Sequence, residues 1–208
     1  MYRKYFKRIF DFVLALVALP FWFIILIIIG PTIYIQDKGP IFYNAERLGK
    51  DGRIFKMYKF RSMKVNAPDL RNEDGSTFNS ENDPRLTKIG RFIRKTSIDE
   101  TPQLLNIIKG DMSIIGPRPD LPEHRVLYEG NEKRKLEVRP GVSGYNQAYF
   151  RNTIPWKDRI KNDIYYIDHL TFFLDVKIIL KTAISVLNRE AIFVEQKSKD
   201  KNGENTNA

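Results

Sequence analysis

Two carboxylates stand side by side in the stretch Arg94-Lys95-Thr96-Ser97-Ile98-Asp99-Glu100-Thr101-Pro102-Gln103, in a chain that is otherwise strongly basic. There is no cysteine, and the only histidines, His124 and His169, are far apart and lack zinc-ligand or Ser-His company, so acid–base or nucleophilic work falls to carboxylates. Adjacent residues on a helix point about 100° apart, so Asp99 and Glu100 would divide labour rather than share one target. An ionised Asp can attack phosphorus, as aspartyl-phosphate chemistry shows. A carboxylate meeting a diphosphate is anion against anion, and Mg²⁺ held between carboxylate and phosphate oxygens is the usual remedy. Arg118 is the leading cation for bidentate phosphate binding, because Pro117 and Pro119 restrict the backbone on both sides of it. Lys59 and Arg61 in Lys59-Phe60-Arg61-Ser62-Met63, and Arg94, are further candidates. Taken singly, each reads as a solvated surface charge, and the acidic pair as a surface ion pair.

The elements that must position these residues are legible in outline. Thr101-Pro102 reads as N-cap and N1 and Gly110 as C′, giving a short helix over Gln103–Lys109; Ser97-x-x-Glu100 is a competing capping box that would start it earlier. Either boundary puts the acidic pair at a helix N-terminus, where an ionised carboxylate is favoured by about 0.3–1 kcal/mol. Residues 41–60 read as a β-hairpin around Lys50-Asp51-Gly52, with Phe55, Met57, Ile41 and Tyr43 on the buried face and Lys56 and Tyr58 outward. Residues 64–83 lack a period and read as a long loop or lid. In residues 86–95, Leu86, Ile89 and Phe92 or Ile93 recur at helical spacing among Lys88, Arg91, Arg94 and Lys95. That pattern suits a helix on an anionic membrane surface and an ordinary core-facing helix equally. Ile114-Ile115 is a short buried strand entering a rigid turn, and residues 156–187 form two amphipathic helices. The fold class expected is α+β: a compact cytoplasmic domain, residues 37–195, followed by a polar tail, 196–208, expected to be disordered.

Ahead of that domain, residues 12–29 carry no charge and no polar side chain beyond the Trp22 indole, and Arg3, Lys4, Lys7 and Arg8 precede them. A run of this length is a membrane-segment signal, and no small-residue cleavage site follows it as a signal peptide would require. Pro20, near its centre, removes the donor for the Leu16 carbonyl and should kink or break the helix. Cationic residues on both flanks place both ends in the cytoplasm. A helix of residues 1–36 that enters, bends at Pro20 and returns satisfies both observations; a kinked span is the alternative. The net charge of +10, from 35 Lys and Arg against 25 Asp and Glu, calls for an anionic partner: nucleic acid, lipid headgroup or a phosphorylated small molecule. No Walker A loop and no strand-borne GxGxxG is present.

Taken together, the runs KRIFD, ERLGKDGRIFKMYKFRSM, DPRLTKIGRFIRKTSIDETPQLLNIIKGDMSIIGPRP, RPGVSGYNQA and DIYYIDHLTFFLDVKIILKT resemble the bacterial sugar transferase family, the small monotopic phosphoglycosyl transferases. The resemblance implies transfer of a sugar phosphate from a UDP-sugar to undecaprenyl phosphate with Mg²⁺, releasing UMP, as the first membrane step of bacterial glycan assembly. It implies a covalent phosphosugar on Asp99, Glu100 as dyad partner, Asp99 as the magnesium contact, and Arg94 and Arg118 as phosphate-binding residues. Re-entry at the cytoplasmic face of the inner membrane is implied too, though Leu19 stands where the family has a serine before the proline, so the bend would rest on Pro20 alone. Asn146-Gln147-Ala148-Tyr149-Phe150-Arg151 departs from the family's Val-Asn-Gly-Arg form, and Arg151 would replace that arginine in holding the donor. The partners expected are the donor, the acceptor, the bilayer and downstream glycosyltransferases, with no nucleic acid. Two other classes fit less of the sequence. A membrane-tethered basic module for nucleic acid or anionic lipid explains charge and anchor but not the acidic pair, and an inactive scaffold gains only from Leu19.

Overall fold

A computed structural model describes residues 1–70, 80, 82–150 and 154–187. Arg151, residues 71–79 of the expected lid and the tail 196–208 lie outside the described residues.

A single π-type turn, Tyr2–Phe6, leads into helix α1, Lys7–Gln36. The strands β1, Phe42–Leu48, and β2, Ile54–Phe60, form an antiparallel hairpin around a 3₁₀ turn at Lys50–Gly52, where Asp51 takes a positive φ. Helix α2, Lys88–Lys95, is capped by Thr87, whose side chain accepts from the Gly90 N–H. A 3₁₀ turn, Ile98–Glu100, precedes helix α3, Gln103–Lys109, which ends on Gly110 in the left-handed conformation. Strand β3, Ser113–Ile115, pairs in parallel with β4, Gly141–Ser143, across two 3₁₀ segments, Pro122–Leu127 and Gly130–Glu137. Helices α4, Tyr145–Tyr149, α5, Trp156–Asp168, and α6, Phe172–Leu187, complete the mixed helix-and-sheet body.

The hairpin follows its alternation, with two exceptions of detail. Met57 is buried, but Tyr43 is exposed, because it lies at the open end of the hairpin face beyond the apolar cover of α3 and β3. Phe60 and Leu48, on the opposite face, are buried against other clusters, so both faces of the hairpin contribute to the core. In α2, Ile93 is fully buried with Trp22, Ile29 and Phe60 while Phe92 remains exposed, which makes α2 a core-packing helix with one apolar residue outward.

Helix α1 is not broken at Pro20: its helical span runs through both Pro20 and Pro31. The buried positions Lys7, Asp11, Ala15, Trp22, Ile29, Gly30 and Ile33 form one stripe that packs on the body on both sides of Pro20, and that packing holds the helix through the missing hydrogen bond. Polar contacts fix both ends. Lys7 Nζ donates to Asp175 Oδ2 at 2.6 Å, Arg8 donates to the Ile107 and Ile108 carbonyls at the end of α3, and Asp11 accepts from Ser113 Oγ and the Ile114 N–H. At the other end Gln36 Oε1 accepts from the Ile89 N–H at 2.9 Å, and Asp37 accepts from Arg61 and from the Val65 N–H. The rest of the helix surface, including Val17, Phe21, Ile24, Ile27 and Ile28, is apolar and exposed. Among the described residues, α1 is the one helix long and apolar enough to cross a membrane.

Candidate active site

The acidic pair sits in the 3₁₀ turn before α3 rather than in the first turn of α3, and neither expected side-chain cap forms. Ser97, at φ 57°, turns the chain out of α2 in the left-handed region, and Thr101 Oγ1 donates back to the Ile98 carbonyl. The turn is fixed from below by Asn106 of α3. Its carboxamide accepts from the Tyr58 N–H and donates to the Lys56 carbonyl, so α3 docks on the outer edge of β2 as a strand would. The turn is fixed from the side by Gly90 of α2, where a Cβ would stand 1.7 Å from the Ser62 carbonyl oxygen; only glycine lets α2 approach this close to the end of β2.

These contacts gather most of the predicted residues. Asp99 is 7% exposed. Glu100 Oε1 accepts from Lys59 Nζ at 2.6 Å and lies 3.8 Å from Arg118 Nη2. Arg94 Nε donates to Ser62 Oγ at 3.0 Å, and the Arg94 charge acts on Asp99 and on Asp83. Asp83, fully buried, is itself gripped by Arg85, whose Nη2 donates at 2.7 Å. Arg61 stands apart from this group: it is buried and bound to Asp37, which ties the end of α1 to the body.

Burial opposes ionisation of both acids, and their neighbours decide the outcome differently. For Asp99, burial is the largest influence and the adjacent Glu100 charge adds to it; Lys59, Arg94 and Arg118 only partly compensate, leaving it raised to about 6. For Glu100, burial is outweighed by Lys59 and Arg118, which hold it down at about 2. One acid is a firmly ionised anchor for two cations; the other is a poorly solvated carboxylate, ionised at neutral pH and given no side-chain hydrogen bond by the described residues. This is the division of labour that adjacent carboxylates allow.

Several contributors were not apparent in the sequence. Ser62, which orients Arg94, and Asn106, which docks α3, are ordinary polar residues whose roles depend on contacts across 32 and 48 or more positions. Asp120 is a hub behind Arg118: it accepts from Lys135 Nζ at 2.5 Å, from the Tyr128 hydroxyl at 2.7 Å and from Trp156 Nε1 at 3.1 Å, while its carbonyl accepts from the Leu48 N–H. The spacing Arg118-Pro119-Asp120 was the available signal. For a divalent cation, the donor set at the site is Asp99 with Glu100 beside it, and no cluster of three acidic or histidine ligands occurs among the described residues. The set fits Mg²⁺, which takes one or two carboxylates and completes its shell with water and substrate phosphate oxygens.

Comparison with known proteins gives a consistent picture. The family described as bacterial sugar transferase matches residues 2–189. The galactosyl transferase CpsE of Streptococcus agalactiae is 43% identical over 189 residues, covering 87% of this chain and 42% of that protein. The uncharacterized sugar transferase EpsL of Bacillus subtilis is 41% identical over 186 residues, 89% of each chain. The undecaprenyl-phosphate galactose phosphotransferase of Salmonella typhimurium is 38% identical over 207 residues, 91% of this chain and 42% of that protein. The chain thus spans about two fifths of the first and third relatives and about nine tenths of the second. Relatives named as transferases lend no support to a basic binding module.

Proposed function

The chain belongs to the bacterial sugar transferase family, and from that membership we propose that it transfers a sugar phosphate from a UDP-sugar to undecaprenyl phosphate, by way of a covalent intermediate on Asp99. The observation that carries the reading is the buried Asp99 carboxylate, set among Arg94, Lys59 and Arg118 with Glu100 anchoring the latter two. An Asp oxygen attacks the sugar-bearing phosphorus; the bond from that phosphorus to the bridging oxygen breaks, and UMP leaves with the electron pair. An oxygen of undecaprenyl phosphate then attacks the phosphosugar and frees Asp99. Arg94 and Arg118 hold phosphate oxygens, and Lys59, bound to Glu100, keeps the phosphate face cationic. Asp99 would hold Mg²⁺ together with substrate oxygens, and the ion would supply charge neutralisation for the diphosphate. Purified protein given UDP-sugar and Mg²⁺ but no lipid acceptor is expected to release one UMP per chain and to gain the mass of one sugar phosphate. Release of free sugar phosphate with no protein adduct would argue against the covalent route.

In the same reading α1 is the membrane element, and it dips into the bilayer from one side rather than spanning it. At 1.5 Å per residue its 30 residues extend about 45 Å, more than the roughly 30 Å of hydrocarbon. Yet Lys7, Arg8 and Asp11 at one end and Gln36 and Asp37 at the other are bound to one and the same body. A span would place those ends on opposite sides of the bilayer. Its exposed apolar face then sits in lipid with the body on the cytoplasmic side. In spheroplasts, cysteines at Tyr2→Cys and Lys38→Cys should both resist a membrane-impermeant thiol reagent until lysis; labelling of one but not the other in intact cells would mean a span.

A further inference from the structure

The register of the hairpin places a second guanidinium beside Arg118. Tyr43 pairs with Lys59, Ala45 with Met57 and Arg47 with Phe55, so these six side chains share one face of the hairpin. Ala45 and Met57 in the middle are buried, Met57 against α3 and β3; Lys59 and Arg47 emerge at opposite ends, four residues or about 13 Å apart along the strands. Lys59 is at the dyad, bound to Glu100. Arg118 lies between: its guanidinium is 3.8 Å from Glu100, and its turn is pinned to the far end of β1, where the Leu48 N–H donates to the Asp120 carbonyl at 2.9 Å. The cations Lys59, Arg118 and Arg47 therefore form a row that starts at the nucleophile and runs outward along the hairpin.

Arg47 has no protein anion of its own. Its described hydrogen bond is from Nη1 to the Glu46 carbonyl, at 2.8 Å, and it makes no ion pair among the described residues. Of the carboxylates that act on it, Asp120 is occupied by Lys135, Tyr128 and Trp156, and Glu123 is exposed to water. Half-buried, and repelled by Arg118, Arg47 keeps its charge because a guanidinium does not deprotonate in proteins. Arg47, with no ion pair among the described residues, stands beside Arg118, which shares its one carboxylate, Glu100, with Lys59, and such a site is one that an anion completes. Counting outward from the dyad, Lys59, Arg94, Arg118 and Arg47 set four positive charges against Asp99 and Glu100, the other carboxylates that act on them being paired with further cations, Asp83 with Arg85 and Asp120 with Lys135, or exposed to water, as Glu123 is; the excess of positive charge suits the two negative charges of a nucleoside diphosphate sugar.

We infer that Arg47 binds the nucleoside-side phosphate of the donor, the phosphate that departs with UMP, while Arg118 binds nearer the reacting phosphorus. The inference rests on the proposed transferase reading and adds to it the direction in which the donor lies. Asp99 must meet the sugar-bearing phosphorus, so the remainder of the nucleotide extends along the row away from Lys59. As the bond to the bridging oxygen breaks, charge accumulates on the departing phosphate, where Arg47 is placed to receive it.

The test uses the full chain in detergent micelles and measures binding of UMP and, separately, of undecaprenyl phosphate by calorimetry. Arg47→Gln is expected to weaken UMP binding by about 10- to 100-fold, as loss of a charge-assisted phosphate contact does, and to leave undecaprenyl phosphate binding within about twofold. Arg47→Lys, which keeps the charge but not the fork, should recover part of the UMP affinity and serves if the glutamine variant folds poorly. Equal UMP binding by the wild type and both variants would overturn the inference while leaving the transferase reading standing. Loss of undecaprenyl phosphate binding with UMP unaffected would overturn it too, by assigning Arg47 to the acceptor. A wild-type chain that bound no UMP would defeat both readings together.

Discussion

Asp99→Asn is expected to lower turnover by at least about 10³-fold, as removal of a covalent nucleophile does, and to make the folded protein more stable at neutral pH. The second half follows from the ionisation of Asp99. Its carboxyl is raised from 3.8 to about 6 in the fold, by burial first and by Glu100 second. Below pH 4 the group is protonated folded or unfolded and contributes nothing. Between about pH 4 and 6 the folded state holds the proton and the unfolded state does not, so stability falls as pH rises. Above about 6 the full penalty is present, on the order of 3 kcal/mol, and an asparagine, which never ionises, escapes it. Glu100 behaves in the opposite sense: held near 2, it stabilises the fold above about pH 4.5 and loses that contribution in acid. Thermal melting of wild type and Asp99→Asn should therefore diverge at pH 7.5, with the variant higher, and converge at pH 4. In kinetics the same group makes kcat/KM for the donor fall as pH drops through about 6, because a protonated carboxyl does not attack phosphorus. Retained turnover within tenfold in Asp99→Asn, or melting midpoints that differ equally at both pH values, would contradict the assignment. Enzymes commonly hold such groups at a cost to stability, so activity and stability should move in opposite directions here and together at structural positions.

Gly141→Ala is expected to be among the most damaging substitutions in the chain although it touches no substrate. A Cβ at residue 141 would stand 2.1 Å from the Gly116 nitrogen, 2.2 Å from the Ser143 carbonyl oxygen and 2.7 Å from the Gly116 carbonyl oxygen. All three are backbone atoms of the β3–β4 pair, so no side-chain rotation relieves the clash, and the strands must separate. The Gly141 N–H also donates to the Pro117 carbonyl, which makes this contact the brace of the Gly116-Pro117-Arg118 turn. The expected loss is about 3 kcal/mol or more, at or above the upper end of ordinary overpacking, and whatever protein folds should have Arg118 displaced from Glu100. Gly130→Ala is the comparison: that glycine has a positive φ, which Gly141 does not, but a Cβ there meets nothing within 4 Å, so only conformational strain remains. Chemical denaturation of the two variants would decide the matter. If Gly141→Ala were no less stable than Gly130→Ala, the close backbone approach would not be what holds the turn.

Much of this site is written in local chemistry. The Asp-Gly turn, the Gly110 stop of α3, the restricted Arg118 between two prolines and the apolar run around Pro20 are each specified by residues a few positions apart, and each is where its residue types require. The misplaced expectations share a cause. The Ser97 capping box did not form because Ser97 adopts a left-handed conformation to bring the dyad under Lys59, a demand set by β2 and not by the helix that follows. Pro20 did not break α1 because packing at Ala15 and Trp22 spans the lost bond. Arg61 and Lys59, two residues apart and alike in sequence, pair with different carboxylates, Asp37 and Glu100, a difference that only the fold supplies. Arg47 lay in plain view within a recognisable run and gave no sign of its company.

What the sequence determined by itself is therefore the cast and the local shapes: which carboxylates are available without cysteine or a paired histidine, where helices and the hairpin begin and end, and which family the chain resembles. What only the tertiary structure decided is which charges meet. Ion pairs and buried carboxylates depend on distances between segments tens to more than a hundred positions apart, and on how much water is left around them. Asp99 and Glu100, identical in class and adjacent in the chain, are shifted in opposite directions for that reason: at Glu100 the cations Lys59 and Arg118 outweigh burial, whereas at Asp99 burial and the Glu100 charge outweigh the cations around it.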